Sequence, residues 1–274
     1  MSQPLDDLFK ASRSTLLMAH LVAGDPDPDG SLDLALVLAR NGADLLEIQI
    51  PFSDPLADGP AVMAANRRAL ERGARPEDAF RLMERIREKI LIPMTVMSYG
   101  NIPFRMGFER FASRCGESGA GAAIIPDLPW DERLPGLRKA FGRRGIHLVR
   151  PVSPGMSPGR LEAAVGEASG FLYATLRVGT TGASARIEDR GLDFIRRVKT
   201  ASRLPAVAGF GVSSPEQAAL LKGMVEAVVI GSRLIEVRSI GGLESVGAFI
   251  RRCRAALDEF RTVSKLLKVD CRKV

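Results

Sequence analysis

Eight short apolar runs recur along the 274 residues, and a longer amphipathic stretch separates each from the next. They occupy 16–22, 44–50, 93–98, 122–125, 147–152, 170–175, 205–209 and 227–230. Runs this short and rich in Val, Ile and Leu read as buried strands. Two parallel strands need a crossover of a dozen or more residues, usually a helix. The intervening stretches have that length and the right period. In SLDLALVLARNG (31–42), Leu32, Ala35, Leu36 and Ala39 share one face, and Asn41-Gly42 supplies a stop. RPEDAFRLMERIREK (75–89), ERFASRCGESG (109–119) and DERLPGLRKAFGRRG (131–145) follow the same rule. Eight such units in about 250 residues define an α/β chain of the (β/α)8 TIM-barrel class. An open doubly wound sheet would normally offer a Gly-rich dinucleotide turn after strand one, and AGDPDPDG (23–30) lacks that spacing. No composition break divides the chain, so one domain over 1–274 is expected, with PLDDLFKASR (4–13) as an extra N-terminal helix against the barrel's bottom.

The chain carries a net charge of +7, but its basic residues are spread over most of the expected helices. Aromatics make up only 5% and do not interleave with arginines, so the pattern is that of solvated helix faces and not a nucleic-acid surface. No apolar run approaches the roughly 18 residues of a membrane span, and MSQPLDDLFKASRS has no apolar core of a signal peptide. Cys115, Cys253 and Cys271 are scattered without metal-like spacing, which fits a reducing cytoplasm.

Chemistry concentrates in EIQIPFSDPLADGP (47–60), where Glu47 interrupts an apolar run and Pro51, Pro55 and Pro60 stiffen the loop that follows. Side chains alternate faces along a strand. Leu46, Ile48 and Ile50 suit the outer face beneath the helices, which turns Glu47 and Gln49 into the barrel near the C-terminal end of strand two. Active sites of this fold are built at that end, and a desolvated carboxyl group there is suited to proton transfer. The bland alternative is a Glu held by an interior cation, for which Arg150 is the one candidate. The parity of LLMAHLV leaves the side taken by His20 open.

Glycine clusters follow three consecutive strands: RVGTTG (177–182), GFGVS (209–213) and IGS (230–232). Glycine allows backbone N–H groups to approach a ligand closely. SRLIE after Gly231 reads as a short helix whose N-terminus suits an anion. Phosphate sites in this fold commonly use the last two βα loops and such a helix. RVGTTGASAR (177–186) also reads as a lid over a phosphorylated substrate.

Nearly end to end the chain resembles the tryptophan synthase α-subunit family. EIQIPFSDPLADGP carries the resemblance most specifically, with LVAGDP (21–26), MSYGNIPF (97–104), IIPDLP (124–129), GTTG (179–182), GFGVS and IGS in support. The resemblance implies a lyase that cleaves indole-3-glycerol phosphate to indole and glyceraldehyde 3-phosphate without metal or organic cofactor. It makes Glu47 the acid–base residue and Asp58 the group that binds the indole N–H. It assigns phosphate to Gly182, Gly211, Gly231 and Ser232, sets Tyr173 beside the catalytic carboxylate, and closes Thr181 onto Asp58 from the lid. A β subunit in an α2β2 assembly would meet the chain near Pro51 and Asp54. Gln49 stands where the family usually has glycine, Ala19 and His20 replace a proline and an aromatic, and Leu176 and Val178 replace more polar or smaller residues. Gln49 and His20 are therefore candidate substrate contacts. Two other readings stay open: a diverged lyase acting on another glycerol phosphate, and a non-catalytic activator of a β partner.

Overall fold

Strand pairing carried right round a circle gives this chain its shape. The computed structural model describes residues 4–128, 134–177 and 187–258. Its strands are β1 (Leu16–Val22), β2 (Leu45–Gln49), β3 (Met94–Met97), β4 (Ala120–Ile124), β5 (His147–Val149), β6 (Leu172–Thr175), β7 (Ala206–Gly209) and β8 (Ala227–Ile230). All pairings are parallel, in the order β5-β4-β3-β2-β1-β8-β7-β6. The two ends meet through a parallel bridge between Val152 and Ala174. There the Val152 N–H donates to the Tyr173 carbonyl and the Thr175 N–H to the Val152 carbonyl, each at 2.9 Å. The result is the expected (β/α)8 barrel.

The helices are α1 (Pro4–Ala11), α2 (Pro28–Arg40), α3 (Pro60–Glu71), α4 (Pro76–Lys89), α5 (Asn101–Met106) and α6 (Phe108–Ser118). After them come α7 (Pro135–Gly142), α8 (Pro158–Glu167), α9 (Asp189–Ala201), α10 (Pro215–Leu221) and α11 (Ser232–Asp258). Proline opens α2, α3, α4, α8 and α10, where its missing N–H is no loss. Two boundaries differ from expectation for that reason. Helix α2 begins three residues early, because Asp27 caps it by accepting from the Gly30 N–H at 2.7 Å. Pro60, grouped with the loop, is the first residue of α3. The span labelled α11 is two helices joined at a non-helical Gly242 (φ 64°), and the first of them is the short helix expected after the IGS turn.

Alternation sorts the strands' side chains as the sequence pattern requires. Leu17, Ala19, Leu21, Leu46 and Ile48 pack outward under the helices, whereas Leu16, Met18, Leu45, Met97, Val207 and Val229 fill the interior. Leu176 belongs to the outer layer. Many helix arginines are paired at the surface, Arg67 with Glu71 and Arg114 with Glu77, Glu84 and Glu117. An exposed pair such as Arg67–Glu71 contributes little stability singly.

Helix α1 seals the N-terminal end. Leu5 is buried in the interior layer, and Phe9 lies with its ring centroid 5.7 Å from that of Phe171. The fit needs a glycine opposite, since a Cβ at Gly121 would stand 2.8 Å from the Leu5 Cβ. Asp6 adds a 2.9 Å contact to the His147 ring. Leu5→Ala is expected to cost about 2–5 kcal/mol, the usual range for emptying a buried leucine site. A urea unfolding curve reads this directly, and an unchanged midpoint would mean that α1 adds nothing to closure of the floor.

Candidate active site

At the other end the apolar filling gives way to polar groups. His20 and Glu47 are register partners on β1 and β2 and both point inward. His20 Nδ1 lies 2.6 Å from Glu47 Oε2, with the two residues 5% and 3% exposed. This settles the open side of His20. It also identifies the cation beside Glu47: Arg150 instead reaches Glu167 at 3.0 Å, and the neighbour of Glu47 is a group that can lose its charge. Burial works against a charged imidazole, but the hydrogen bond it donates to Glu47 and the negative charges of Glu47 and Asp58 outweigh it, raising His20 above its ordinary 6.5. His20 Nε2 and Glu47 Oε1 have no hydrogen-bond partner among the described residues.

The loop after β2 brings the second carboxyl group to the same place. The Asp58 N–H bonds the Pro55 carbonyl at 2.9 Å, and the Phe52 N–H bonds Asn66 Oδ1 of α3 at 2.9 Å. The Phe52 ring stacks on Tyr99 at 5.2 Å. Tyr99 donates its hydroxyl proton to Asp58 Oδ2 at 3.0 Å and accepts from the Ala57 N–H at 3.1 Å. Gln49 Nε2 also donates to Asp58 Oδ2, at 2.7 Å, and contacts Asn66 Oδ1 at 3.4 Å. Gln49 is fully buried, its amide is engaged with Asp58, and it does not line the cavity. The reason is reach: the amide two residues past Glu47 meets the returning loop before it meets the cavity.

Glu47, His20 and Asp58 line one cavity of about 580 Å3, counting the space at its open mouth. Tyr173 lines it from β6, and Gly211, Gly231 and Ser232 from the turns after β7 and β8. The wall is otherwise largely apolar, as suits a flat hydrophobic ligand. Burial and then the charges of Glu47 and Asp58 push the Tyr173 phenol far up, leaving it a neutral hydroxyl. Its ring fits because position 209 is glycine, where a Cβ would stand 2.5 Å from the Tyr173 oxygen.

Two wall residues escaped the sequence reading. Phe210 sits at φ 62°, a region bulky residues avoid, with its ring edge-on to Tyr173 at 5.8 Å. Arg233, the second residue of α11, lines the cavity while bonding Glu236 at 3.0 Å. Its signal was its position directly after the IGS turn. Thr181 and Gly182 lie outside the described residues, as do Val178 and most of the expected lid. Of the loop residues expected at a partner surface, Asp54 is exposed and Pro51 is buried. Among the described residues no group of three or more His, Cys, Asp or Glu side chains is arranged to hold a metal, and no helix is long and apolar enough to cross a membrane.

Comparison with known proteins agrees with this geometry. The family model described as tryptophan synthase alpha chain matches residues 7–260. The tryptophan synthase alpha chain of Geobacillus kaustophilus is 42% identical over 222 residues, covering 81% of this chain and 82% of that relative. That of Dehalococcoides mccartyi is 35% identical over 255 residues, 93% of this chain and 99% of the relative. Among solved structures, Mycobacterium tuberculosis tryptophan synthase superposes with a TM-score of 0.87 at 31% identity, covering 94% of this chain and 99% of that one. The alpha subunit from Legionella pneumophila superposes with a TM-score of 0.85 at 29% identity and the same coverage.

Burial raises Asp58 above its ordinary 3.8, an effect that His20, Gln49 and Tyr99 reduce without cancelling. A carboxyl group raised in the folded state subtracts stability once pH exceeds the folded value, and subtracts nothing below the unfolded one. Asp58→Asn is therefore expected to resist urea better than the wild type at pH 8, and the two curves should converge by about pH 4. A variant less stable at pH 8 would show that the ionised carboxylate is a net gain to the fold.

Proposed function

The chain belongs to the tryptophan synthase alpha chain family, and from that membership we propose that Glu47 and Asp58 carry out its reaction in the cavity at the barrel's C-terminal end. The activity is that of a carbon–carbon lyase, cleaving indole-3-glycerol phosphate in tryptophan biosynthesis. The single observation supporting the residue assignment is that two buried carboxyl groups share one apolar-walled cavity with the glycine turns after β7 and β8.

Breaking a carbon–carbon bond to an aromatic ring requires a proton at the ring carbon and a base at the neighbouring hydroxyl. Glu47 performs both: it delivers the proton to the ring carbon, then accepts the hydroxyl proton as the bond electrons return to the ring. Asp58, held by Gln49 and Tyr99 through one oxygen, keeps its other oxygen for the indole N–H and balances the positive charge of the protonated ring. Gly211, Gly231 and Ser232 receive the phosphate with the N-terminal turn of α11, where backbone N–H groups and the helix dipole favour an anion. Arg233 adds a full positive charge at the same turn. Gly182 would complete the phosphate site and Thr181 would close on Asp58. Tyr173 fixes the ring's position beside Glu47. Neither the proton transfers nor the ring binding calls for a metal or organic cofactor.

Family membership implies a tryptophan synthase β subunit as partner. We assign the contact to the outward side of the loop after β2, where Ser53, Asp54 and Leu56 are exposed, with exposed Phe104 of α5 adding apolar surface. Pro51 would support that loop from within. The buried, unpaired Cys115 and Cys253 support a reducing, cytoplasmic setting. The departure at Gln49 favours no other substrate, since that side chain is engaged with Asp58.

The purified chain mixed with a β subunit is expected to release indole from indole-3-glycerol phosphate. Glu47→Gln should lower kcat by about 10²–10⁴, the usual worth of a general acid–base group, with little change in unfolding midpoint. Wild-type turnover by the Glu47→Gln enzyme would refute the assignment.

A further inference from the structure

We infer that His20 is a working part of the cleavage site: it and Glu47 act as one proton-holding pair, with His20 fixing one carboxylate oxygen and leaving the other to the substrate. The inference rests on Glu47 as the acid–base residue. It adds a positioning residue that acts through Glu47.

The pairing is built into the backbone. His20 and Glu47 face each other across the β1–β2 ladder, so the short Nδ1–Oε2 contact follows from register and not from a chance rotamer. Both line the cavity, and each keeps a second polar atom, His20 Nε2 and Glu47 Oε1, without a partner among the described residues. A merely structural histidine buried to this degree would normally have both ring nitrogens satisfied.

The surroundings favour a proton on the pair. From β2 come Glu47 and the neutral amide of Gln49, and the following loop adds Asp58. From β6, Tyr173 contributes a neutral phenol. From β8, Gly231 offers no side chain, and a Cβ there would stand 3.4 Å from the His20 Cβ. Among the described residues the one full cation on the cavity wall, Arg233, is engaged with Glu236. Two carboxyl groups therefore act on one imidazole.

Such a pair suits the reaction's proton balance. In its singly protonated form it holds a proton to give and an oxygen to receive one. Protonation of the ring carbon removes one proton from the pair. Cleavage returns the hydroxyl proton to it while the bond electrons fall back into the ring. The pair ends each turnover with the proton count it began with, and no other reactant enters. A lone carboxyl group would lose its proton at lower pH than the pair does, so His20 extends the active range on the alkaline side.

The test uses the full-length chain, whose only other histidine, His147, gives a reference signal. Proton NMR titration should show His20 titrating above 6.5 in the wild type and at lower pH in Glu47→Gln. In the complex with a β subunit, His20→Gln, which can still donate to Glu47 but does not titrate, should move the alkaline limb of kcat/KM down by about 1–3 pH units, the size of shift a close opposite charge produces. His20→Phe should show the same shift with a lower kcat. A His20 that titrates at or below 6.5 and ignores Glu47→Gln overturns the pair, as does an alkaline limb unchanged in His20→Gln. Failure of the wild type to release indole would count against the substrate assignment alone, because the NMR titration reads the pair without any substrate.

Discussion

The pairing register of β2 is the constraint on which everything functional depends. Glu47 aligns with His20 on one side and Thr95 on the other. A slip of one residue would exchange the two faces of the strand. Leu46 and Ile48 would then enter the barrel, and Glu47 and Gln49 would meet the apolar layer beneath the helices. That alternative buries two polar groups against hydrocarbon with no partners, at a cost of several kcal/mol. The same alternation that builds the core therefore aims the carboxyl group, and stability and chemistry are enforced by one pattern.

How much of this is written locally in the chain differs from residue to residue. The eight strands and the inward side of Glu47 were legible, because apolar runs and their alternation are short-range signals. His20 was not, because LLMAHLV is buried along its whole length and offers no polar face to set its phase. The bond from Gln49 to Asp58 was not legible for a different reason. Asp58 returns to Gln49 through a turn fixed by Pro55, Phe52 and Tyr99, so the contact exists only once that loop has folded. The start of α2 and the role of Pro60 were missed because DPDPDG and SDPLADGP look like turns until the caps they supply are seen. The stop at Gly242 depends on a single φ value, which sequence pattern does not encode.

The two ends of the barrel show what the site costs the fold. Below, α1 and the first residues of the strands close an apolar layer around Leu5, Leu16, Phe171 and Ala227. Above, His20, Glu47, Gln49 and Asp58 occupy positions that an ordinary core would give to leucine or valine. Phe210 adds a strained backbone on the same rim. Polar burial and strain of this kind persist only where the surrounding structure over-determines them. The apolar floor and the layer under the helices supply that determination.

Within the polar cluster the donors and acceptors are divided unequally, and the division has chemical sense. Asp58 Oδ2 takes both local donors, from Gln49 and Tyr99, and Glu47 Oε2 takes the one from His20. Among the described residues each carboxyl group is thus tethered by a single oxygen, which fixes its plane while its other oxygen is spared. A carboxylate bonded through both oxygens would be more stable and less useful, since the incoming N–H and hydroxyl would have to displace an existing partner. A carboxylate bonded through neither would lose the orientation that makes an attack geometry probable. One oxygen held and one oxygen left is the arrangement that keeps both acids buried, ordered and still available to a ligand.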